Sequence, residues 1–317
     1  MRQAATERGP AKTLLGIEIG GTKLQLVLGA AGGKIVLRRK FVVEPERGAV
    51  GIRAQIETAV PELARGRHLS GVGVGFGGPV DWKTGRICRS HQIEGWSEFD
   101  LSGWLAGLAG APVRVDNDAD VGALGEASHG AGARFNPVFY VTLGSGVGGG
   151  LVVDGRIYHG ATPGEAEIGH VRLDRRGTIV ERRCSGWAID AKIRRLRRTA
   201  PASLLARLAA RDPGGEARHL AAALKRGDAA AKRILETATG DLAFALSHVV
   251  HLFHPEVIIL GGGLSKAGEP LRQSVEHHLR RFVMEAFAPG PRVLLAALGE
   301  DAVPIGALEL AEFSSAL

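Results

Sequence analysis

Two stretches of this chain share one short pattern, in which an apolar run leads into a glycine-rich turn and a second apolar run follows. The first is LLGIEIGGTKLQLVLG at 14–29, and the second is NPVFYVTLGSGVGGGLVVDGRIY at 136–158. Apolar runs on either side of a short glycine turn are typical of β-hairpins. The repeat predicts that each half of the chain begins with strand, turn, strand, as expected after an internal duplication.

The size of the chain agrees with two halves. Single hydrophobic cores stop growing at about 250–300 residues, whereas this chain has 317 residues, of which 45% are hydrophobic. We therefore expect two domains with a sizeable buried interior.

Periodicity predicts the remaining elements. The first hairpin is followed by a strand at 34–43, a helix at 49–64, strands in LSGVGVGF and VRVDND, and a helix at 119–130. The second hairpin is followed by helices over 186–253 with breaks at 212–215 and Gly227, a strand in EVIILGGG, a helix at 264–283, a strand in RVLLAAL and a closing helix in VPIGALELAEF.

Charge and cysteine content narrow the class of protein. The formal charge of +7 includes a dense cluster, KIRRLRR at 192–198, which we interpret as a solvated helix face, since charge runs on helices are usually exposed. A basic surface is compatible with small polyanionic substrates as well as with nucleic acid.

The two cysteines, Cys88 and Cys184, form no disulfide framework. The polar residues 1–12 do not resemble a secretory signal, and no apolar run is long enough to cross a bilayer, so we expect a cytoplasmic protein.

Three glycine turns suggest phosphate binding. They are Gly20–Lys23, Gly144–Gly150 and Gly261–Gly263. One such turn carries little information, because glycine is common wherever a hairpin needs φ above zero. Three turns with hydroxyl donors such as Thr22 and Ser145 fit a nucleotide better, since glycine lets backbone N–H groups approach a polyanion.

A polar group follows the predicted strand in VRVDNDAD, where Asp116, Asn117, Asp118 and Asp120 enter a helix. One of them can be a helix cap. Three carboxylates and an amide in five residues exceed what capping requires. A carboxylate here is suited to accept a proton from a substrate hydroxyl.

A second polar group lies in GEAEIGHV, which contains Glu165, Glu167 and His170. Glu167 and His170 would share one face of a helix and are suited to bind sugar hydroxyls. Metal ligation by His170 is the alternative. A closed zinc site needs four ligands, usually including several cysteines, whereas the following segment contains only Cys184.

Seven motifs together resemble the ROK family, the repressor, open-reading-frame and kinase proteins that include bacterial glucokinases and N-acetylhexosamine kinases. The resemblance runs from about Leu14 to Ala311 in the order of the family. The motifs are GIEIGGTK, GVGVGFGGPVD, VDNDADVGALGE, VTLGSGVGGGLVVDGRIYHG, GEAEIGH, HPEVIILGGGLS and LGEDAVPIGALELA.

The resemblance implies an α/β chain with the actin-like, ribonuclease-H-like ATPase fold, in which two duplicated domains close on a sugar and ATP with a cleft between them. Residues 13–118 and a C-terminal helix at about 301–317 are expected to form the smaller N-terminal domain, and 119–300 the larger C-terminal domain. Periodicity alone does not decide which half the closing helix packs on. Residues 1–12 are expected to be a disordered tail.

The resemblance also implies roles for single residues. Asp118 is expected to be the general base that receives the proton of the sugar hydroxyl, and Glu18 is expected to meet Mg²⁺ through water. The residues expected at the sugar are Gly77, Gly78, Asn117, Asp118, Glu167 and His170. The residues expected around the nucleotide are Gly20, Gly21, Thr22, Lys23, Thr142, Gly144, Ser145, Gly146, Gly261, Gly262 and Gly263.

Three departures from the family pattern stand out. The first motif has Glu18 where the family usually has Asp. The zinc loop of the family, CxCGxxGC, is replaced by RRCSGWAID, so no zinc site is expected and His170 has to be held by hydrogen bonds. Gln92, in SHQIEGW, stands where the family has Asn.

The function implied is an ATP-dependent kinase of a hexose or N-acetylhexosamine, similar to glucokinase, that acts in the cytoplasm as a homodimer without nucleic-acid or membrane partners. Three alternatives stay open: a kinase that uses polyphosphate, a sugar-responsive transcriptional regulator and a non-catalytic sugar-binding protein. The roughly thirteen residues before Leu14 are too few for a helix-turn-helix element, which argues against a regulator.

Overall fold

The computed structural model describes residues 12–88, 93–164 and 166–314. Apart from Lys12, the predicted disordered tail lies outside these residues. The described chain divides into two compact units, and the division falls inside a helix, after Gly125. The first unit contains the chain up to Gly125, Ala161–Gly164 and the chain from Val303 onward, and the second contains Glu126–Gly160 and Glu165–Ala302.

The first unit is built on a five-stranded sheet with the order β3-β2-β1-β4-β7. The pairs β1–β2 and β2–β3 are antiparallel, whereas β1–β4 and β4–β7 are parallel. Its strands are β1 (Thr13–Ile19), β2 (Lys23–Ala30), β3 (Lys34–Val42), β4 (Leu69–Phe76), the short β5 (Val80–Asp81) and β6 (Arg86–Ile87), and β7 (Val113–Asn117). Its helices are α1 (Gly48–Ala64), α2 (Leu101–Ala109), most of α3 (Asp118–His129) and α10 (Ala302–Ser314).

The two faces of this sheet are covered by different helices. Side chains of β1, including Leu15 and Ile17, form one core with Ile52 of α1 and Leu101 of α2. On the other face Leu14 and Val27 pack with Leu308 and Ala311 of α10. The C-terminal helix therefore packs on the first sheet.

Glycines at every second position of β4 explain how closely α10 approaches. A Cβ atom added at Gly71 would lie 2.5 Å from the carbonyl oxygen of Ala311, and one added at Gly73 would collide with the carbonyl oxygen of Ala307. Since alternate residues of a strand face the same side, the pattern in LSGVGVGF gives one smooth face on which a helix backbone can lie.

The second unit repeats the arrangement with the sheet order β10-β9-β8-β11-β12. The pairs β8–β9 and β9–β10 are antiparallel, and β8–β11 and β11–β12 are parallel. Its strands are β8 (Val138–Leu143), β9 (Val147–Val153), β10 (Arg156–Ile157), β11 (Val257–Gly261) and β12 (Arg292–Leu295). Its helices are α4 (Glu181–Cys184), α5 (Gly186–Thr199), α6 (Leu204–Arg211), α7 (Leu220–Lys225), α8 (Ala229–Phe253) and α9 (Glu269–Leu279).

The predicted repeat is thus visible in the topology, because both sheets have three antiparallel strands followed by two parallel ones. The predicted helix breaks are also confirmed, since α6 ends at Arg211 and α8 begins after Gly227. The helix predicted at 264–283 differs. A 3-10 turn at Gly263–Ala267 comes first, and α9 begins only at Glu269, because Gly268 has φ of 72° and Pro270 cannot donate a backbone hydrogen bond.

The basic cluster at 192–198 lies on α5, and most of its arginines are exposed as expected. Lys192 is an exception. It is half-buried, its Nζ donates to the carbonyl oxygen of Arg183 at 2.7 Å, and desolvation lowers its pKa. In the described ranges, no helix is both long and apolar enough to cross a membrane.

A buried carboxylate holds the end of α3 in the second unit. Glu126 is fully buried and accepts backbone N–H groups from Ala131 at 2.9 Å, Ala297 at 3.1 Å and Leu298 at 2.8 Å. Three donors satisfy a charge that would otherwise be costly to bury. This contact ties the end of α3 to the segment that precedes α10.

Candidate functional site

In the first unit, the predicted site residues lie where three neighbouring parallel strands end. The Gly20–Thr22 turn follows β1, Gly77 and Gly78 follow β4, and Asn117 and Asp118 end β7 and begin α3. Because the three strands are parallel, their carboxyl ends meet at one edge of the sheet, which is where ligands usually bind in α/β folds.

Hydrogen bonds hold these strand ends and close the turn after β1. The N–H of Gly77 donates to the carbonyl oxygen of Ile19 at 2.8 Å, and the N–H of Gly20 donates to the carbonyl oxygen of Lys23 at 2.9 Å. The Nδ2 of Asn117 donates to the carbonyl oxygen of Gly78 at 3.1 Å. These hydrogen bonds link β1 to β4 and β4 to β7 at this edge of the sheet.

Asp118 lies beside Gly77. A Cβ atom at Gly77 would be 3.4 Å from Oδ2 of Asp118 and 3.5 Å from Cα of Gly20. The carboxylate is half-buried and stands on the first residue of α3, where the helix dipole favours negative charge. Glycine at position 77 thus leaves space next to this carboxylate.

The four polar residues at 116–120 have different environments. Asp116 and Asp120 are buried, and Oδ1 of Asp116 accepts the N–H of Asn117 at 3.0 Å. Asn117 has a capping role, since its Oδ1 accepts the N–H of Ala119 at 2.8 Å. The sequence alone did not separate the buried carboxylates from the half-buried Asp118.

Glu18 is buried at the end of β1, and its carboxylate is already engaged. Oε1 forms an ion pair with Nζ of Lys23 at 2.9 Å, and Oε2 accepts a hydrogen bond from Nε2 of Gln25. A carboxylate offers about four lone-pair sites, so Glu18 keeps capacity for a metal-bound water. This donor set fits the water-mediated Mg²⁺ contact expected from the sequence, because Mg²⁺ keeps several waters when it binds to proteins.

In the second unit, the turn at Gly144–Gly146 joins β8 to β9. It is closed by the N–H of Gly144 donating to the carbonyl oxygen of Gly146 at 3.0 Å. The carbonyl oxygen of Gly144 accepts the N–H of Gly186 at 2.7 Å, so the N-terminus of α5 abuts the turn. Oε2 of Glu181 accepts the N–H of Val147 at 3.0 Å.

The glycines at the end of β11 are needed for close packing against β8. Gly262 has φ of 77°, and a Cβ atom there would lie 2.6 Å from backbone atoms of Leu143. A Cβ atom at Gly261 would collide with the ring of Tyr140. Thr142 is half-buried and pairs with Gly261 and Gly148 across the sheet.

A pocket of about 360 Å³ lies next to these turns in the second unit. It brings together three residues predicted at the nucleotide, Gly144, Ser145 and Gly263. The remaining predicted glycines, including Gly262, shape the turns without lining the pocket. The other lining residues are Leu143, Gly186, Trp187, Asp190, Gly215, Ala217, Arg218, Leu220, Ala221, Leu264, Lys266 and Ala267.

None of the charged or aromatic residues in that second set was identified from the sequence. Trp187 lies within RRCSGWAID, the segment that stands in place of the zinc loop, and this is the one sequence signal near it. Arg218 forms an ion pair with Asp212 at 2.6 Å, and Lys266 lies 3.6 Å from Glu300. Asp190 is buried, and its Oδ1 accepts the N–H of Ala217 at 2.6 Å.

Glu167 and His170 are both exposed and lie in one short turn of the second unit. Ile168–His170 is a 3-10 helix rather than a full α-helix, and the N–H of His170 donates to the carbonyl oxygen of Glu167 at 3.0 Å. Gly169 packs so tightly on β9 that a Cβ atom would collide with the carbonyl oxygen of Val147. The turn is therefore anchored by backbone packing.

Cys184 is part of the hydrophobic core. Its Sγ donates to the carbonyl oxygen of Ala238 at 3.3 Å, and burial raises its pKa to about 12. A thiolate is the metal-binding form of cysteine, so the environment of Cys184 opposes metal binding. Within 12–88, 93–164 and 166–314, no group of three or more His, Cys, Asp or Glu side chains is arranged to hold a metal ion.

Two positions discussed from the sequence, Gln92 and Glu165, lie outside the described residues. What the side chains of Gln92 and Glu165 contact therefore stays a prediction.

Comparisons with known proteins agree with these features. The sequence model of the ROK family matches residues 14–313. The glucokinase of Thermotoga maritima is 31% identical over 309 residues, which is 95% of this chain and 98% of that protein. The glucokinase of Halalkalibacterium halodurans is 33% identical, with 92% of each chain covered.

A solved structure gives the same result for the fold. A ROK family glucokinase from Streptomyces griseus, in complex with glucose and AMPPNP, is similar with a TM-score of 0.83 at 29% identity, covering 95% of this chain and 99% of that one. The fold is accordingly the actin-like ATPase fold of ROK sugar kinases. With the family model matching nearly its whole length, this chain belongs to the ROK family.

Proposed function

We propose that this chain is an ATP-dependent kinase that phosphorylates a hexose, with glucose the first candidate. The observation that carries the proposal is the strand edge of the first unit, where Asp118 lies next to Gly77 and the Gly20–Thr22 turn. The glucokinases at 31% and 33% identity support the substrate class. We further propose that the enzyme acts in the cytoplasm as a homodimer.

Asp118 acts as the general base in this proposal. Its carboxylate accepts the proton of the attacking sugar hydroxyl while the hydroxyl oxygen forms a bond to the γ-phosphorus of ATP. The bond between that phosphorus and the bridging β,γ-oxygen breaks, and ADP leaves. Since such transition states are loose, positioning and charge stabilisation contribute most of the rate.

The sugar is held by hydrogen bonds to residues that differ in rigidity. Asn117 is fixed by Gly78 and by the backbone of Ala119, and Gly77 and Gly78 form the adjacent wall. In the second unit, Glu167 and His170 are exposed on an anchored turn and offer an acceptor and a donor-acceptor to hydroxyl groups.

The nucleotide is bound by the glycine turns. Gly20–Lys23 in the first unit, and Thr142, Gly144–Gly146 and Gly261–Gly263 in the second, offer backbone N–H groups, hydroxyls and one ammonium group to phosphates. Mg²⁺ bound with the nucleotide would be held through water by Glu18, and it would supply charge neutralisation for the phosphoryl oxygens.

An assay of sugar-dependent ADP release tests the function. MgATP is offered with glucose, fructose, mannose, allose, N-acetylglucosamine and N-acetylmannosamine, and we expect the highest kcat/KM with glucose. Highest turnover with an N-acetylated sugar would change the substrate class but keep the kinase. ADP release that no sugar stimulates would contradict the proposal.

Polyphosphate is the second donor to test. It replaces ATP in a parallel reaction, with the sugar phosphate measured directly. We expect turnover with ATP to exceed turnover with polyphosphate, and the reverse result would replace the donor in the proposal.

A further inference from the structure

Trp187 is unusual because a large aromatic ring is left in solvent next to a polar turn. Its side chain is 63% exposed, and it is the second residue of α5. Tryptophan exposes a large apolar surface to water when it is not covered. The chain contains four tryptophans, and Trp96 in the first unit is by contrast almost completely buried.

The backbone before Trp187 is held tightly against the Gly144–Gly146 turn. The N–H of Gly186 donates to the carbonyl oxygen of Gly144 at 2.7 Å, and a Cβ atom at Gly186 would also lie 2.7 Å from that oxygen. Oγ of Ser185 accepts the N–H of Ala188 at 3.2 Å and caps the helix. Trp187 therefore stands at a fixed place beside Gly144.

The indole lines the same pocket of about 360 Å³ as Ser145 and Gly263. A pocket of that volume is within the range that holds small ligands. One part of its lining is polar, with a hydroxyl and the ammonium of Lys266, and another part is apolar, with Ala217 and Leu220. This division matches a ligand with a charged end and a flat apolar end.

The charged side chains that line the pocket favour an anionic ligand. Asp190 is buried and already accepts the N–H of Ala217, so its charge is partly compensated. Arg218 and Lys266 also line the pocket, each with one acidic neighbour. A chain of phosphates would use such cations but would leave the indole in water.

We infer that Trp187 stacks on the base of the donor nucleotide, so that the donor of this chain is a nucleoside triphosphate and not a bare phosphate chain. The inference rests on the proposed kinase function, which it deepens by assigning the base-binding residue. Stacking between a base and an aromatic side chain is favourable and does not depend strongly on base identity. Covering the indole also removes its apolar surface from water.

Fluorescence of the intact protein gives the first test. AMPPNP is titrated into the wild-type protein with Mg²⁺, and tripolyphosphate is titrated as the ligand without a base. We expect AMPPNP to change tryptophan emission and to reduce quenching by acrylamide, whereas tripolyphosphate does neither. The same titration of Trp187→Phe identifies the responding residue, because the other three tryptophans remain.

Kinetics of three variants give the second test. Trp187→Ala is expected to raise KM for ATP about tenfold, which corresponds to about 1.4 kcal/mol, with a much smaller change in kcat and in KM for the sugar. Trp187→Phe keeps a ring and is expected to restore most of the affinity. Tyr158→Ala removes another exposed ring of the second unit that does not line the pocket, and its kinetics are expected to match the wild type.

The outcomes separate the inference from the function. Sugar-dependent turnover with an unchanged KM for ATP in Trp187→Ala would overturn the inference and keep the kinase. A nucleotide-dependent response of Trp187 without phosphorylation of any sugar would keep the base-binding role and overturn the proposed function. Equal responses to AMPPNP and tripolyphosphate would overturn the inference, as would a shift of Trp187→Ala from dimer to monomer with unchanged nucleotide affinity.

Discussion

The two glycine turns that follow β1 and β8 occupy the same place in their sheets but have different surroundings. At Gly20–Thr22 the neighbouring strand ends contribute Asp118 and Asn117, and the turn itself is flanked by the Glu18–Lys23 ion pair. At Gly144–Gly146 the neighbours are the N-terminus of α5 and a pocket with Trp187 and Lys266.

The same hairpin thus stands in two different chemical surroundings. In the first unit the turn borders carboxylate and amide groups suited to a hydroxyl substrate, and in the second it borders cations and apolar surface suited to a nucleotide. The glycine turn alone therefore does not determine the chemistry. The strand ends and helices placed beside it do.

The largest effect, a loss of kcat, is expected at Asp118. Asp118→Asn removes the proton acceptor while keeping size and hydrogen-bonding capacity, so we expect kcat to fall about 1000-fold, with sugar affinity retained within a few-fold. Initial-rate kinetics and calorimetric titration of the sugar measure the two quantities. Turnover close to wild type would show that the strand edge of the first unit does not hold the base.

Asp100→Asn is the matched control for this change of charge. Asp100 caps α2 by accepting the N–H of Gly103 at 2.9 Å, and Asn is an equally good cap. We expect its kcat to stay within twofold of wild type. An equal loss of kcat in Asp100→Asn would mean that the effect of Asp118→Asn comes from losing a negative charge in general. It would then not report the loss of a proton acceptor.

An intermediate effect, on the free energy of unfolding, is expected at the glycines that follow β4 and β11. These strands hold the same place in the two sheets. Gly262→Ala adds a Cβ atom 2.6 Å from the backbone of Leu143 at a φ of 77°, so we expect a loss of about 3 kcal/mol in the free energy of unfolding. Gly77→Ala meets its neighbours at 3.3 Å or more and should lose less than about 1 kcal/mol.

Thermal unfolding and kinetics together test this pair. Gly262→Ala is expected to lower Tm by several degrees, whereas Gly77→Ala crowds Asp118 and is expected to lower kcat with little change in Tm. Equal Tm values for the two variants would show that the strand ends tolerate a side chain equally, and the structural distinction between the two edges would be lost.

The smallest effect concerns one cysteine in each unit. Cys184 is buried with a pKa raised to about 12 by desolvation, and the pKa of half-buried Cys88 is also raised, by burial first and then by Asp81 and Glu98. Because the thiolate is the reactive form, a thiol reagent at pH 9 should label Cys88 slowly and Cys184 hardly at all in the native protein. Denaturation should expose both.

The same shift has a consequence for stability. A thiol whose pKa is raised in the folded state contributes fully to the free energy of unfolding when the pH is below its unfolded pKa, near 8.5. That contribution declines as the pH rises toward 12. Cys88→Ser and Cys184→Ser assign the labelling rates to single thiols. Faster native labelling of Cys184 than of Cys88 would contradict the burial difference between them.

Much of the fold follows from residue pattern. The hairpins at 14–29 and 136–158 were predicted because apolar runs and glycine turns are local signals. The helix breaks at 212–215 and at Gly227 follow from glycine and proline in the same way. The repeat predicted two similar halves, whereas the order of strands within each sheet came from the structure. The start of α9 was predicted too early, because Gly268 and Pro270 interrupt a sequence whose apolar period continues through them.

The candidate site divides along the same line. Asp118, Asn117 and the glycine turns were found because each stands in a recognisable motif at a strand end. Trp187, Arg218 and Lys266 were missed, since nothing local distinguishes an arginine in a pocket from the exposed arginines of α5. Two of the three donors to Glu126 were equally invisible, because Ala297 and Leu298 are more than 170 residues away.

Local pattern therefore specified the strands, the turns, the repeat and the family of this protein, because periodicity and backbone demands act over a few residues. Tertiary structure decided which of the carboxylates at 116–120 are buried, which helix covers the glycine face of β4, and which side chains surround the Gly144–Gly146 turn. These depend on contacts between distant parts of the chain, where packing and desolvation act on groups that the sequence does not place side by side.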